Sequence, residues 1–177
     1  MKRKPMTIFL SILGSLAVFV ALILFVGERL PREHSASRSA VYKQTPEILF
    51  ATITNISELP SWRKDVKNVE LLPRSANGNM IYRENSKSGA ITLEITENTP
   101  PARLITTIAD ASLPFGGKWT FQITPVDGGA KLNITEDGFI KPALFRFLTH
   151  YVFGYTATID TYLKSLGAKF GETITPS

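Results

Sequence analysis

Between Pro142 and Phe170, eight side chains (Leu144, Leu148, Tyr151, Tyr155, Ile159, Tyr162, Leu166 and Phe170) recur at spacings of three and four. That is the period of one apolar helix face, and Arg146, His150, Asp160 and Lys164 fall on the opposite side. The spacing predicts a single long helix over this range. Such a stripe has to be covered, and the chain before it, from about His34 to Phe139, alternates as short strands separated by turns. One helix covering one antiparallel sheet is an α+β arrangement, with room for a cavity between the layers.

The other long apolar run is Met6 to Val26. Its 21 residues rise roughly 31 Å as a helix, enough to cross the hydrocarbon core. Fourteen of them are Leu, Ile, Phe or Val, worth on the order of −6 kcal/mol on an insertion scale. The run is longer than the apolar part of a cleaved signal, and Gly27-Glu28-Arg29-Leu30-Pro31 offers no small-x-small cleavage site. It therefore reads as an uncleaved anchor. Lys2, Arg3 and Lys4 bias the N-terminus to the cytoplasm, which puts the rest of the chain outside. The expected divisions are a basic start and transmembrane helix over 1–27, a linker over 28–37, one folded domain over 38–171, and a tail over 172–177.

Within the domain, Ser39 to Lys43 reads as a first strand. Thr45-Pro46-Glu47 starts a helix: Thr45 caps, Pro46 suits the first turn, and Glu47 meets the positive helix end. A second short turn follows at Ser57 to Trp62. From Val66 the period becomes two. Strands are expected at Val66 to Leu72, Met80 to Asn85, around Ile91 to Ile95, Arg103 to Ala109, around Trp119 to Ile123, and Lys131 to Phe139. Asn77-Gly78 and Asp127-Gly128-Gly129 supply hairpin turns, and Lys87-Ser88-Gly89 another.

Composition narrows the chemistry. Of the formal +5 charge, residues 1–33 hold five basic and two acidic residues, so the remainder is nearly neutral. No basic block interleaves with aromatics, and no nucleic-acid partner is expected. The chain has no cysteine and two histidines, which removes thiolate sites and leaves little for a histidine-based metal site. No cofactor is expected, and no nucleophile–histidine–acid set or phosphate loop is present.

Several stretches resemble the SRPBCC (START-like, Bet v 1-like) helix-grip superfamily. They are the first strand, Thr45 to Phe50, Ile53-Thr54-Asn55, Leu59-Pro60-Ser61-Trp62, Gly117-Lys118-Trp119, Thr135-Glu136-Asp137-Gly138, and Lys141-Pro142 before Phe145-Arg146-Phe147. The polyketide cyclase/dehydrase and coenzyme-Q-binding branches are the most similar. The resemblance implies a curved antiparallel sheet wrapped around a long C-terminal helix. It also implies a cavity that takes lipids, polyketides or other apolar molecules, with catalysis in some members.

Glu136 is in phase with Leu132 and Ile134, on the face expected to meet the helix, where a carboxylate can orient a ligand hydroxyl or exchange a proton. The competing reading puts it at the sheet rim, since Gly138 follows. Tyr151 and Tyr155 bring hydroxyls that need partners if buried. Trp119, Phe121 and Tyr82 complete the expected cavity wall, although packing accounts equally well for aromatics there. Glu84 shares a face with Tyr82, but alternation does not say whether that face is the inner one. His150 lies roughly 200° from the apolar stripe and reads as a surface residue; His34 reads as part of the linker. The functional expectation is a membrane-tethered binding or carrier module for a lipid-like or isoprenoid molecule. The alternatives are a cyclase or dehydratase using Glu136, and a structural domain whose cavity is filled by its own side chains.

Overall fold

The computed structural model describes residues 4–87 and 89–177, without the side chains of Lys4, Pro5 and Thr7. Helix α1 (Lys4–Arg29) leads into strand β1 (Glu33–Tyr42), α2 (Pro46–Thr54), a 3-10 turn and α3 (Leu59–Trp62). Strands β2 (Val66–Leu72), β3 (Ile81–Ser86), β4 (Gly89–Thr99), β5 (Arg103–Ile108), β6 (Phe115–Val126) and β7 (Gly129–Ile140) follow, then α4 (Ala143–Leu148), a π turn (Thr149–Phe153) and α5 (Ala157–Lys169). The seven strands form one antiparallel sheet in the order β1-β7-β6-β5-β4-β3-β2. Consecutive strands pair from β2 to β7, and β1 closes on β7, as a helix-grip fold requires.

Local chemistry explains most of these elements. Thr45 caps α2 by accepting from the Ile48 amide at 3.4 Å, and Pro46 occupies its first turn. Asp127-Gly128 makes a two-residue hairpin, with Val126 paired to Gly129 and Gly128 at φ +76°, a conformation that costs glycine little. The β2–β3 connection is wider than the Asn77-Gly78 signal predicts: the strands stop at Leu72 and resume at Ile81. Pro73 has no amide to continue the ladder, and the turn closes through Gly78 N to Ser75 O at 2.8 Å. Ser88, in the third expected turn, lies outside the described residues.

The core lies between the inner sheet face and the helices. Leu49, Phe50 and Ile53 of α2, with Ile159, Tyr162, Leu163 and Leu166 of α5, pack on Ile123, Leu132 and Ile134. Arg38 of β1 meets Asp160 of α5 at 3.2 Å.

Four expectations are corrected. The C-terminal helix is not continuous: it breaks between Phe153 and Ala157, where Gly154 adopts φ +76° and ψ 160°, an extended backbone open to glycine that does not continue a helix. The apolar stripe is therefore buried only in α5. In α4 the faces are reversed, with Arg146 at 2% exposure and Leu144 at 42%. The stretch 28–37 is not a linker, because α1 runs to Arg29 and β1 begins at Glu33. Alternate residues His34 and Ala36 turn towards the interior, and β7 supplies their backbone partners. Nor is 172–177 a loose tail. Ser177 exchanges backbone hydrogen bonds with Ser39 at 2.9 Å, tying the segment to the outer edge of β1 at that residue.

Helix α1 exposes most of its large apolar side chains from Met6 to Phe25. Its segment Ile8–Arg29, with a mean hydropathy of 2.8, is long and apolar enough to cross a membrane.

Candidate ligand cavity

Two cavities lie between the inner sheet face and the start of α5. The first, about 280 Å³, is walled by Tyr82 and Glu84 of β3, Leu93 of β4, Thr106 of β5, Trp119 and Phe121 of β6, and Glu136 of β7, with Arg63 and Thr158. The second, about 360 Å³, is bordered by His34, Glu136, Phe153, Tyr155 and Thr158. They share Ile108, Phe115, Gly117, Glu136 and Thr158. Glu136 is thus the charged group common to both.

The strand register places its partners. Trp119 lies directly opposite Glu136 across the β6–β7 ladder, and its indole N–H donates to Oε2 at 2.8 Å. His34, on β1, approaches Oε1 with Nε2 at 3.2 Å. Since a carboxylate only accepts, the proton of that bond sits on Nε2, and in the neutral ring Nδ1 is left as the acceptor. That Nδ1 is buried and finds no partner among the described residues. The ring lies over Gly138, where a Cβ would come within 2.9 Å of His34 Cε1. On its other side it stacks on Tyr155, centroids 4.6 Å apart and planes 28° from parallel. One carboxylate is therefore fixed by two donors from different strands, and its histidine is fixed by the helix break.

A second polar cluster sits on the opposite wall. Arg63, just after α3, reaches both carboxylate oxygens of Glu84 at 2.9 Å through Nη1, and Asp65 Oδ2 at 2.6 Å through Nη2. Its guanidinium lies 5.3 Å from the centre of the Tyr162 ring. Burial pushes the Glu84 carboxyl above its ordinary range, and the Arg63 charge opposes but does not cancel that effect. For Arg63, burial works to lower the pKa, and the charges of Glu84 and Asp65 outweigh it. Burial likewise raises the Tyr82 and Tyr162 hydroxyls. An acid held this way is neutralised by its neighbour and is poorly suited to free acid/base work; its evident use is to make a polar wall inside an apolar cavity.

Glu136, Trp119, Phe121 and Tyr82 line the 280 Å³ cavity, and Tyr155 the other. Tyr151 does not join them. It is 58% exposed because the Gly154 break turns the preceding segment outward, where its ring packs against Phe147 and His150. The competing reading, a carboxylate that meets solvent or a basic partner, also finds support, since the Glu136 side chain is 24% exposed and contacts His34, while its other oxygen is tied to Trp119. His34 is corrected from linker to cavity wall, and Glu84 is an inner-face residue. His150 is exposed as expected, although its neighbour Tyr151, expected on the buried side, is exposed as well. Arg63 is the residue that sequence reading misses. It belongs to no periodic segment, and its one signal is indirect: an inward Glu84 needs a cation. Among the described residues, no three His, Cys, Asp or Glu side chains cluster so as to hold a metal ion.

The chain's relatives agree with this architecture. Residues 33–169 match the family described as polyketide cyclase / dehydrase and lipid transport. No curated protein sequence matches this one. Among solved structures, a conserved protein from Geobacillus kaustophilus superposes with a TM-score of 0.65 at 15% identity, over 81% of this chain and 99% of that one. A START superfamily protein from Mycobacterium smegmatis gives 0.62 at 16%, over 77% and 96%. An aromatase/cyclase from Streptomyces sp. R1128 gives 0.62 at 10%, over 77% and 93%. At these identities the likeness establishes the fold.

Proposed function

The chain belongs to the polyketide cyclase/dehydrase and lipid-transport family, and on that premise we propose that it is a membrane-tethered binding or carrier module for a lipid-like or isoprenoid molecule. The observation that carries this reading is the pair of cavities meeting at Glu136, with apolar and aromatic walls and one oriented acceptor. Affinity would come from apolar burial at about 25 cal/mol per Å², and orientation from a ligand hydroxyl or similar donor directed at Glu136. Helix α1 is the tether, with its N-terminus cytoplasmic and the folded domain outside. Arg146 supports an uncleaved helix: it is 2% exposed and donates from Nε to Gly27 O at 2.8 Å, partners that cleavage would remove.

Native mass spectrometry of the full chain, released from nanodiscs with its endogenous ligands, tests the carrier role. A reproducible apolar ligand that is lost in Glu136→Gln supports it. Failure to retain any component of a total lipid extract overturns it. Protease added to intact cells tests the orientation, and a domain that resists digestion until lysis would reverse it.

A second reading, an enzyme of the cyclase or dehydratase kind, is favoured by one observation, the contact of Glu136 with His34 in the same cavity. Turnover abolished by Glu136→Gln while the ligand still binds would decide for it.

A further inference from the structure

The end of α1 is locked to the segment that carries the helix break. Arg146 of α4 donates from Nε to Gly27 O at 2.8 Å and from Nη2 to Glu28 Oε2 at 2.5 Å. Its Nη1 donates to Ile140 O and Lys141 O, so the same guanidinium also holds the end of β7. The backbones touch: a Cβ on Gly27 would lie 2.1 Å from Ala143 O, which only glycine avoids. Towards the end of α1 the covered positions are Ile23, Val26 and Gly27, followed by Leu30 just beyond it, one face at spacings of three, four and seven. Helix α4 therefore packs across the last turns of the apolar run.

Beside that contact the protein exposes Phe145 (53%), Tyr151 (58%), Val152 (62%) and Phe153 (62%). Two of these side chains also border cavities. Phe145 lines a pocket of about 250 Å³ with Pro142 and Ile140, and Phe153 lines the 360 Å³ cavity with Tyr155. An interfacial helix buries its apolar face roughly 5–10 Å into the headgroup boundary, and a segment clamped to the end of a membrane span is held near that level.

We propose that Ala143–Phe153 is an interfacial segment that seats in the lipid surface beside α1 and opens the cavity mouth onto the bilayer. The occupant of this apolar face is lipid, because the face continues the exposed apolar surface of α1 at the level where that helix ends. Tyr151 suits this level, where rings with one polar edge concentrate. Arg146 is a positioning residue, whose charge is compensated by Glu28 and three carbonyls. The inference rests on the reading of α1 as an uncleaved span and adds that the domain is docked at a fixed height rather than hanging free.

The chain has no cysteine, so single cysteines can be placed in the full-length protein at Val18, Phe145, Phe153 and, as a distant control, Leu71 of β2. Each is labelled with a polarity-sensitive fluorophore, reconstituted in phosphatidylcholine/phosphatidylglycerol vesicles, and quenched with nitroxide lipids of graded depth. The expected result is strong shallow quenching at 145 and 153, deep quenching at 18, and none at 71. If 145 and 153 behave like 71 while 18 is quenched, the proposal falls and the span survives. An unquenched label at 18 overturns both. Labels at 145 and 153 that are shielded in native membranes but untouched by nitroxide lipid would mean that a protein covers this face, and would also overturn the proposal. In Gly27→Val, with its near-UV circular dichroism unchanged, quenching at 153 should drop severalfold. Unchanged quenching in that folded variant would refute the clamp, and Arg146→Gln gives an independent second reading.

Discussion

The imidazole of His34 stacks on the phenol of Tyr155 at 4.6 Å between centroids, joining the first strand of the sheet to the break in the C-terminal helix. The contact spans nearly the whole domain in sequence and closes one side of the cavity. It also explains why the break is held in one place: Gly154 frees the chain, and the ring pair fixes the direction in which it restarts as α5.

Tyr155→Phe should leave stability nearly unchanged, because the ring face that meets His34 is kept. Tyr155→Ala should cost at least the roughly 0.5–1.5 kcal/mol attached to an aromatic pair, with lost burial added. Urea melts of the full chain in detergent, followed by the circular dichroism of the domain, would measure both. Equal losses in the two variants would transfer the importance from the ring to the hydroxyl.

Ile159 is fully buried in α5, packed in the main core. Ile159→Ala should cost about 2–5 kcal/mol, the range for deleting a large aliphatic side chain from a packed core. A loss well under 1 kcal/mol would mean that neighbouring side chains refill the space, which the same urea melts would reveal.

The Arg63–Glu84 pair makes stability depend on pH in a defined direction. Burial raises the Glu84 carboxyl above 4.5 in the folded protein, so between that value and its folded pKa the native state holds the extra proton. Stability contributed by this group therefore falls as pH rises through the window. Arg63→Met removes the opposing charge, moves the folded pKa further up and widens the window. The variant should lose about 3–5 kcal/mol at neutral pH, from a buried carboxylate left without its cation, and much less below pH 4.5, where Glu84 is protonated in both states. Arg63→Met/Glu84→Gln should recover most of the neutral-pH loss. Equal losses at both pH values would show that Arg63 acts by packing alone.

How much of this was legible in the sequence depends on the range of the forces involved. Strands β5 and β7 alternate over most of their length, and the turn at Asp127-Gly128 is fixed by two residues, so both can be read locally. The period of three and four ran unbroken through Gly154, and nothing nearby marked that glycine as a stop. Periodicity places Arg146 on the solvent side because its partners lie 118 and 119 residues away, at Glu28 and Gly27. His34 sits in a run of small and polar residues without β-branched side chains, so β1 showed only its second half. Of the cavity, Glu136 could be found by its phase. Arg63 could not, because its role depends on which strand faces it.

Glu136→Gln tests the site most directly. The amide keeps an oxygen for the Trp119 N–H and nearly the same volume, so the fold should hold, with a stability change of about 1 kcal/mol for one altered hydrogen bond. Its amide nitrogen meets His34 Nε2 only if that nitrogen gives up its proton, so the histidine should change tautomer, and the buried Nδ1 would then carry the hydrogen. Nitrogen-15 spectra of labelled His34 distinguish the two ring forms. The expected outcome is exchange of the protonated nitrogen from Nε2 to Nδ1, together with loss of the co-purifying ligand. If the tautomer is unchanged and the ligand is retained, Glu136 neither sets the state of His34 nor orients the ligand. Retention of the ligand with the tautomer exchanged would confine Glu136 to holding His34, and would move the binding contact to the Tyr155 side of the cavity.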